Sequence, residues 1–179
     1  THVYPGFGYG IRYEFGMFTQ GIEDGRQVEH PDSWLRYGDP WQFIQSSISY
    51  AVRFNGRLQR STGACGEEFC QWIDTDQVTA VAYDLPMTGY RSDAVLYLRL
   101  WAARASQDFD LRYFNEGNYI EAVREKTISE TLSKVLYPND STTMGQELRL
   151  KQEYFFVSAS LQDILRRHFK SNSSLDNLP

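Results

Sequence analysis

Between Ile48 and Ala103 apolar and polar residues alternate with a period of two, a pattern that suits an extended strand and no helix. Ile48, Tyr50, Val52 and Phe54 fall on one side of the chain, and Ser49, Ala51, Arg53 and Asn55 on the other. A turn-rich stretch through Gly63 and Gly66 leads into a second run, Trp72 to Tyr83. Pro86 and Gly89 then punctuate before a third, Ala94 to Ala103, in which Leu96, Leu98 and Leu100 share one face. Three long strands separated by turn signals predict an antiparallel sheet.

Beyond this stretch the period changes to that of a helix. Ile120, Val123, Ile128, Leu132, Val135 and Leu136 recur at helical spacing. Asn118 is placed to cap this helix, with Glu121 three positions on, and Glu130 and Lys134 form an i,i+4 pair. Pro138 disfavours helix at Tyr137, so a loop opens there. A second helix is expected from Gln146 to Lys170, and its middle, Tyr154-Phe-Phe-Val157, is apolar on nearly every side, as in a buried helix. Ser171–Pro179 is Ser/Asn-rich and reads as a frayed tail. At the other end, Gly6-Phe-Gly-Tyr-Gly10 runs into a strand-like segment; a dinucleotide loop would instead open a helix, so no phosphate cradle is assigned. The chain thus reads as one partial domain over 1–179. It divides into a strand and aromatic loop (1–47), antiparallel strands (48–104), a helix (115–137), a loop (138–145) and a long helix (146–170).

With 179 residues, 41% hydrophobic and 15% aromatic, the chain is long enough for a real core and too apolar to be disordered. A net charge of −5 does not support a nucleic-acid footprint, and no apolar run reaches the roughly 20 residues of a membrane span. Thr1-His-Val-Tyr-Pro5 lacks an initiator Met and a signal pattern, and reads as a cut end or an incomplete reading frame. Cys65 and Cys70 are either a pair of free thiols in a surface hairpin or a local disulfide. With three histidines scattered through the chain, they form no zinc set.

Three constellations are candidates for chemistry. The loop from Asp32 to Trp41 carries Trp34, Tyr37, Trp41 and acidic residues; it suits the C–H faces and hydroxyls of a sugar, or else Trp34 and Trp41 are core aromatics beneath a loop. The Tyr137–Gly145 loop, small and polar between two strong helices, is either a functional loop or ordinary Pro-Asn-Asp turn chemistry. Arg166-Arg167-His168 with Lys170 complements the dipole at a helix C-terminus or forms an anion site. The carboxylate pairs Glu67/Glu68 and Asp74/Asp76 read as solvated positions, and no Ser lies in a nucleophile elbow.

Several long runs carry a resemblance. Val135-Leu-Tyr-Pro-Asn-Asp140, Glu147-Leu-Arg-Leu-Lys-Gln-Glu-Tyr154, Gly8-Tyr-Gly-Ile-Arg-Tyr-Glu-Phe-Gly16 and Asp32-Ser-Trp-Leu-Arg-Tyr-Gly-Asp-Pro-Trp41 resemble segments of the α-1,4-glucan phosphorylases, those of glycogen, starch and maltodextrin. Trp72-Ile-Asp-Thr-Asp76, Tyr83-Asp-Leu-Pro-Met-Thr-Gly-Tyr-Arg91, Leu98-Arg-Leu-Trp101, Asp108-Phe-Asp-Leu111 and Ser160-Leu-Gln-Asp-Ile164 follow in the same order.

That resemblance implies a fold class of α/β: part of the N-terminal Rossmann-like domain of a GT-B-type, two-domain phosphorylase, with a long antiparallel β excursion followed by two long helices. Such enzymes release α-glucose 1-phosphate from α-1,4-glucan by phosphorolysis, using the 5′-phosphate of pyridoxal phosphate as an acid–base group. The resemblance further implies a cytoplasmic homodimer formed through helix 118–136, with a gate loop at Asn139 and Asp140 near the cleft. Substrate contacts fall to Tyr137, Asp140 and Arg149, and a nucleotide effector's phosphate to Arg166 and Arg167. Ser141 and Thr142 depart from the Asn and Phe of animal enzymes. The Gly-rich phosphate loop is expected upstream of Thr1 and the cofactor lysine in the C-terminal domain; no lysine here stands in a matching motif. The expectation is therefore an internal segment, inactive alone. The alternative is a stand-alone carbohydrate-binding or regulatory module derived from that domain.

Overall fold

The computed structural model describes residues 6–62, 67–91, 93–106, 115–136 and 138–171. Its elements run β1 (Phe7–Ile11), β2 (Phe18–Glu23), β3 (Arg26–Pro31), β4 (Phe43–Phe54), β5 (Arg57–Thr62), β6 (Glu68–Ile73), β7 (Asp76–Thr88), β8 (Val95–Ala105), α1 (Tyr119–Ala122), α2 (Arg124–Lys134) and α3 (Thr143–Ser171). A four-stranded sheet in the order β1-β8-β7-β4 carries the helices, and β2-β3 and β5-β6 are separate hairpins. The long strands β4, β7 and β8 pair antiparallel, while β1 joins β8 in parallel, which makes the sheet mixed. β4 begins at Phe43, five residues before the alternation becomes clean, because a register shift between Gln45 and Ser49 hides its first part from a period-two count.

Alternation sorts the sheet into two faces. Val52 and Phe54, then Val78, Ala80 and Ala82, then Trp101 and Ala103 turn toward the helices and meet Leu132, Phe155 and Ala159 there. The small residues Ala80, Ala82 and Ala103 leave room for Phe155 and Trp101, which are fully buried. A side chain of that kind gains about 1.5–3 kcal/mol from burial. The glycine–aromatic alternation of β1 has the same cause. Tyr9 shares the helix face with Arg99 and stacks on Trp101, with ring centroids 6.3 Å apart. On the opposite face, a Cβ at Gly8 or Gly10 would meet the side chains of Leu98 and Leu100 at 3.0 and 2.9 Å.

The core also holds charge. Arg99 donates two hydrogen bonds to Asp84 on β7, both 2.7 Å, and one of 2.9 Å to Asp163 on α3. Asp163, with no exposed surface, further accepts from the hydroxyls of Tyr9 and Tyr50, each at 2.8 Å, and from Arg166 at 2.9 Å. Burial pushes the Asp163 carboxyl up, but the bonds from Arg166, Tyr9 and Tyr50 and the charge of Arg99 outweigh it and hold the group below the usual carboxylate range. The Tyr9 phenol is pushed up to about 12, first by burial and then by its bond to Asp163.

The helices differ from the sequence reading in three places. The helix expected over 115–137 is interrupted: Gly117 has φ +79, Asn118 accepts from the Glu121 amide at 3.3 Å, and α1 closes at Val123. There a β-branched residue at φ −112, ψ 2 turns its N–H onto Ile120 and Glu121 before α2 begins. α2 then ends at Lys134 because Val135 is extended. The long helix starts at Thr143, three residues early, because Thr142 rather than a later residue caps it: its Oγ1 accepts from the Gly145 amide at 3.1 Å. And Tyr154–Val157 is not buried all round, for Phe155 is fully buried but Tyr154 and Val157 are 43% and 48% exposed.

Other expectations land as follows. Glu130 bonds Lys134 at 2.8 Å and Arg104 at 3.2 Å, tying α2 to β8. Trp41 is 72% exposed and so is no core aromatic, while Trp34 is half-buried with its indole N–H unpartnered. Asp74 pairs with Arg57 at the base of the β5–β6 hairpin and Asp76 with Asn55 at the end of the β4–β7 pair, all exposed, and Cys70 is an exposed thiol. Cys65, Gly63, Gly66, Asp108–Leu111 and the tail 172–179 lie outside the described residues.

Two outcomes test this packing. Asp163→Ala leaves the Tyr9 and Tyr50 hydroxyls and one Arg99 N–H without their acceptor, though Arg99 keeps Asp84, and lowers the unfolding free energy by about 3–5 kcal/mol in urea titrations. Because the folded-state carboxyl titrates below its unfolded value of about 3.9, its stabilisation is complete above that pH. It is lost as pH falls through the lower folded value, so urea midpoints of the parent chain drop below about pH 4 while those of Asp163→Ala drop less. The second concerns Gly145, in the first turn of α3, where a Cβ would collide with the Asn139 carbonyl. Gly→Ala inside a helix ordinarily stabilises by about 1 kcal/mol; here Gly145→Ala lowers the melting temperature instead.

Candidate functional site

The 138–142 loop is built from the two helix ends it joins. α2 stops without a glycine, leaving its last carbonyls to be satisfied from elsewhere. The Glu14 and Phe15 amides donate to the Lys134 carbonyl, and the Leu136 amide returns a bond of 2.8 Å to the Phe15 carbonyl. Phe15 and Val135 thereby form a short parallel bridge. The close approach demands Gly16, at φ +113, where a Cβ would lie 2.5 Å from that of Leu136. From the other side Gln152 of α3 donates through Nε2 to the carbonyls of Leu132 at 3.1 Å and Val135 at 2.7 Å.

Beyond this root the loop folds on itself. Asn139 Oδ1 accepts from the amide and the hydroxyl of Ser141 at 3.0 and 2.7 Å, an Asx turn. Thr142 donates to the Asn139 carbonyl at 3.2 Å while capping α3, and Gln146 Nε2 donates to the Asp140 carbonyl at 3.0 Å. Asp140 is thus left pointing along the first turns of α3, where Arg149 meets it at 3.3 Å. Both side chains are about half exposed, and such a pair contributes about 0–1 kcal/mol. A ligand hydroxyl or anion can therefore displace either partner at little cost.

Arg149 also lines a cavity of about 390 Å³. Its walls include Ile11 and Tyr13 at the end of β1, Pro138 at the loop root, and Glu153 and Phe156 one turn and two turns along α3. An apolar floor with a guanidinium and a carboxylate at the rim suits a small, polyhydroxylated ligand.

The structure thus brings Asn139, Asp140 and Arg149 together. Tyr137 lies outside the described residues. Arg166 and Arg167 belong to the far end of α3, about 25 Å from Arg149 at 1.5 Å per residue. There Arg166 donates to Asp163 and, at 2.6 Å, to Tyr50, and the Arg167 guanidinium stacks 3.9 Å from the ring of Phe7. Gln152 and Asp163 matched no chemical motif. Their signal was a polar residue at each end of the series 152, 155, 159, 163, whose middle members Phe155 and Ala159 form the buried face of α3. Among the described residues no group of three or more His, Cys, Asp or Glu could hold a metal, and no helix is long and apolar enough to cross a membrane.

The family profile described as Carbohydrate phosphorylase matches residues 1–179. A glycogen phosphorylase of Chlamydia pneumoniae is 52% identical over 178 residues, covering 99% of this chain and 22% of the relative. One from Haemophilus influenzae is 53% identical over 174 residues, 97% of this chain and 21% of the relative. The brain form of glycogen phosphorylase from Bos taurus is 52% identical over 166 residues, 93% and 19% respectively. The chain spans about one fifth of the length of these relatives. A profile match over every residue and identities near one half across bacterial and animal proteins place the chain plainly: it belongs to the carbohydrate phosphorylase family.

Proposed function

We propose that these residues serve within an α-1,4-glucan phosphorylase, which cleaves glycogen, starch or maltodextrin with phosphate to give α-glucose 1-phosphate. In this reading they form part of an N-terminal Rossmann-like domain of a GT-B-type enzyme. The observation that carries the reading is the Asp140–Arg149 pair, which ends a self-closed loop at the wall of a cavity large enough for a hexose unit. Asp140 and Asn139 gate the cleft; Arg149, freed from Asp140 when the loop opens, donates to substrate oxygens, and Tyr137 contacts the oligosaccharide.

Pyridoxal phosphate would supply a phosphate that exchanges protons with the substrate phosphate. The described lysines do not fit its cradle. Lys134 and Lys151 are ion-paired with Glu130 and Glu147, and among the described residues no lysine lines the cavity. We assign the cofactor to other parts of a full-length enzyme, and these 179 residues alone to no turnover. Exposed Tyr119, Ile120, Val123 and Ile128 on α1 and α2 support a subunit contact through 118–136 in a cytoplasmic homodimer. An effector anion at Arg166 and Arg167 would have to compete with Asp163, Tyr50 and Phe7.

Two measurements test the reading. The purified chain, given maltoheptaose, phosphate and pyridoxal phosphate, releases no glucose 1-phosphate; sustained release overturns the assignment of turnover elsewhere. A chimaera in which these residues replace the matched segment of the Haemophilus influenzae relative phosphorolyses maltoheptaose. Arg149→Ala in that chimaera lowers kcat/KM about 10- to 100-fold, the loss of one charge-assisted hydrogen bond. An unchanged kcat/KM removes Arg149 from the site.

A further inference from the structure

The root of the 138–142 loop is held from two directions, and one side chain supplies the hold from α3. Gln152 is 4% exposed, and its single amide nitrogen spends both hydrogens on carbonyls flanking the end of α2, those of Leu132 and Val135. Opposite it, the Phe15 bridge holds Lys134 and Leu136 by their main chain. Val135 therefore sits in a vice, with β1's extension on one side and α3 on the other. Gln152 lies one turn from Arg149 on the same helix, and both line the same cavity. The side chain that fixes where the loop begins is thus rigidly related to the one the loop reaches with Asp140.

From this we propose that Gln152 is a positioning residue: it sets the root of the 138–142 loop against α3 so that Asp140 and Arg149 meet at the cavity. Neither a carboxylate nor an apolar residue can do the same. A carboxylate cannot donate, an apolar isostere leaves two buried carbonyls unsatisfied, and Asn falls one carbon short. The hold on the loop is a property of this chain. Its consequence for glucan rests on the gate reading given under Proposed function.

Amide hydrogen exchange on the 179-residue chain tests it, with Gln152→Met as the shape-preserving variant and Gln152→Asn as the milder one should Met prevent folding. The reporters are the amides of Leu136, Ser141 and Gly145, which donate to Phe15, Asn139 and Thr142. They should exchange about tenfold faster or more in the variants, while the amides of Ala80, Ala82 and Ala103 in the sheet keep their rates. Uniform acceleration across loop and sheet means that Gln152 contributes global stability alone and overturns the proposal; so do unchanged rates at Ser141 and Gly145. In the full-length chimaera, Gln152→Met raises KM for maltoheptaose about tenfold with kcat nearly unchanged. Local exchange as expected, with no effect on KM, retains the vice and rejects the gate reading. An altered KM with uniform exchange rejects the vice.

Discussion

One buried carboxylate organises this chain. Asp163 takes hydrogen bonds from β1 through Tyr9, from β4 through Tyr50, from β8 through Arg99 and from its own helix through Arg166. Arg99 carries the connection on to β7 through two bonds to Asp84. All four strands of the sheet are therefore tied to α3 at one level. Hydrophobic contact is non-directional and would let a helix slide or rotate over the small residues Ala80, Ala82 and Ala103. Charged hydrogen bonds have direction, so this cluster sets the rotation of α3 about its axis. Such a network need not raise net stability over an apolar replacement, since desolvating the charges is expensive. What it supplies is a single register between helix and sheet.

That register matters because α3 is long and straight in its consequences. It is 29 residues, and whatever fixes its far end fixes where Arg149 and Gln152 stand at its near end. The near end is held differently, by main chain: Thr142 caps the helix, Gly145 admits the Asn139 carbonyl, and the Phe15 bridge seizes the end of α2. With a charged lock at one end and hydrogen bonds to backbone at the other, the half-exposed Asp140–Arg149 pair is the weakest of the contacts that hold the 138–142 loop. In the reading proposed above, a loop that opens while its supports stay still would form the gate.

Much of this was legible in the sequence. The period of two over β4, β7 and β8 follows from one face being buried, and the i,i+4 pair Glu130–Lys134 and the Asn118 cap are local chemistry that depends on nothing distant. The resemblance also points to Asn139, Asp140 and Arg149, of which the structure pairs Asp140 with Arg149. What escaped were features decided across the chain. The parallel pairing of β1 with β8 joins segments about ninety residues apart, and no local signal distinguishes it from an antiparallel neighbour. The end of α2 at Lys134 is set by Glu14 and Phe15, and by a glutamine that reads as an ordinary surface residue until its neighbours at helical spacing are seen to be buried. Arg99 lies on the buried face of β8 between residues that alternate as expected, and only Asp84 and Asp163 make that position tolerable.

The misreading of Tyr154–Val157 has a cause in the same helix. Phe155, Ala159 and Asp163 form the face of α3 that meets the sheet, and Leu150, Tyr154, Val157 and Leu161 form a second stripe, spaced four, three and four, that is exposed although Tyr154 still touches Phe54 edge-on. A helix with apolar residues on two sides has the composition of one buried all round. Among the described residues, only one of the two apolar sides of this helix is covered. The sheet reproduces the same asymmetry: Gly8, Gly10, Leu98 and Leu100 form a close-packed strip on the face away from the helices, with the glycines accommodating the leucines directly. Packing on both faces is written into the residues, and among those described the helix-facing side of the sheet is the one that forms the core.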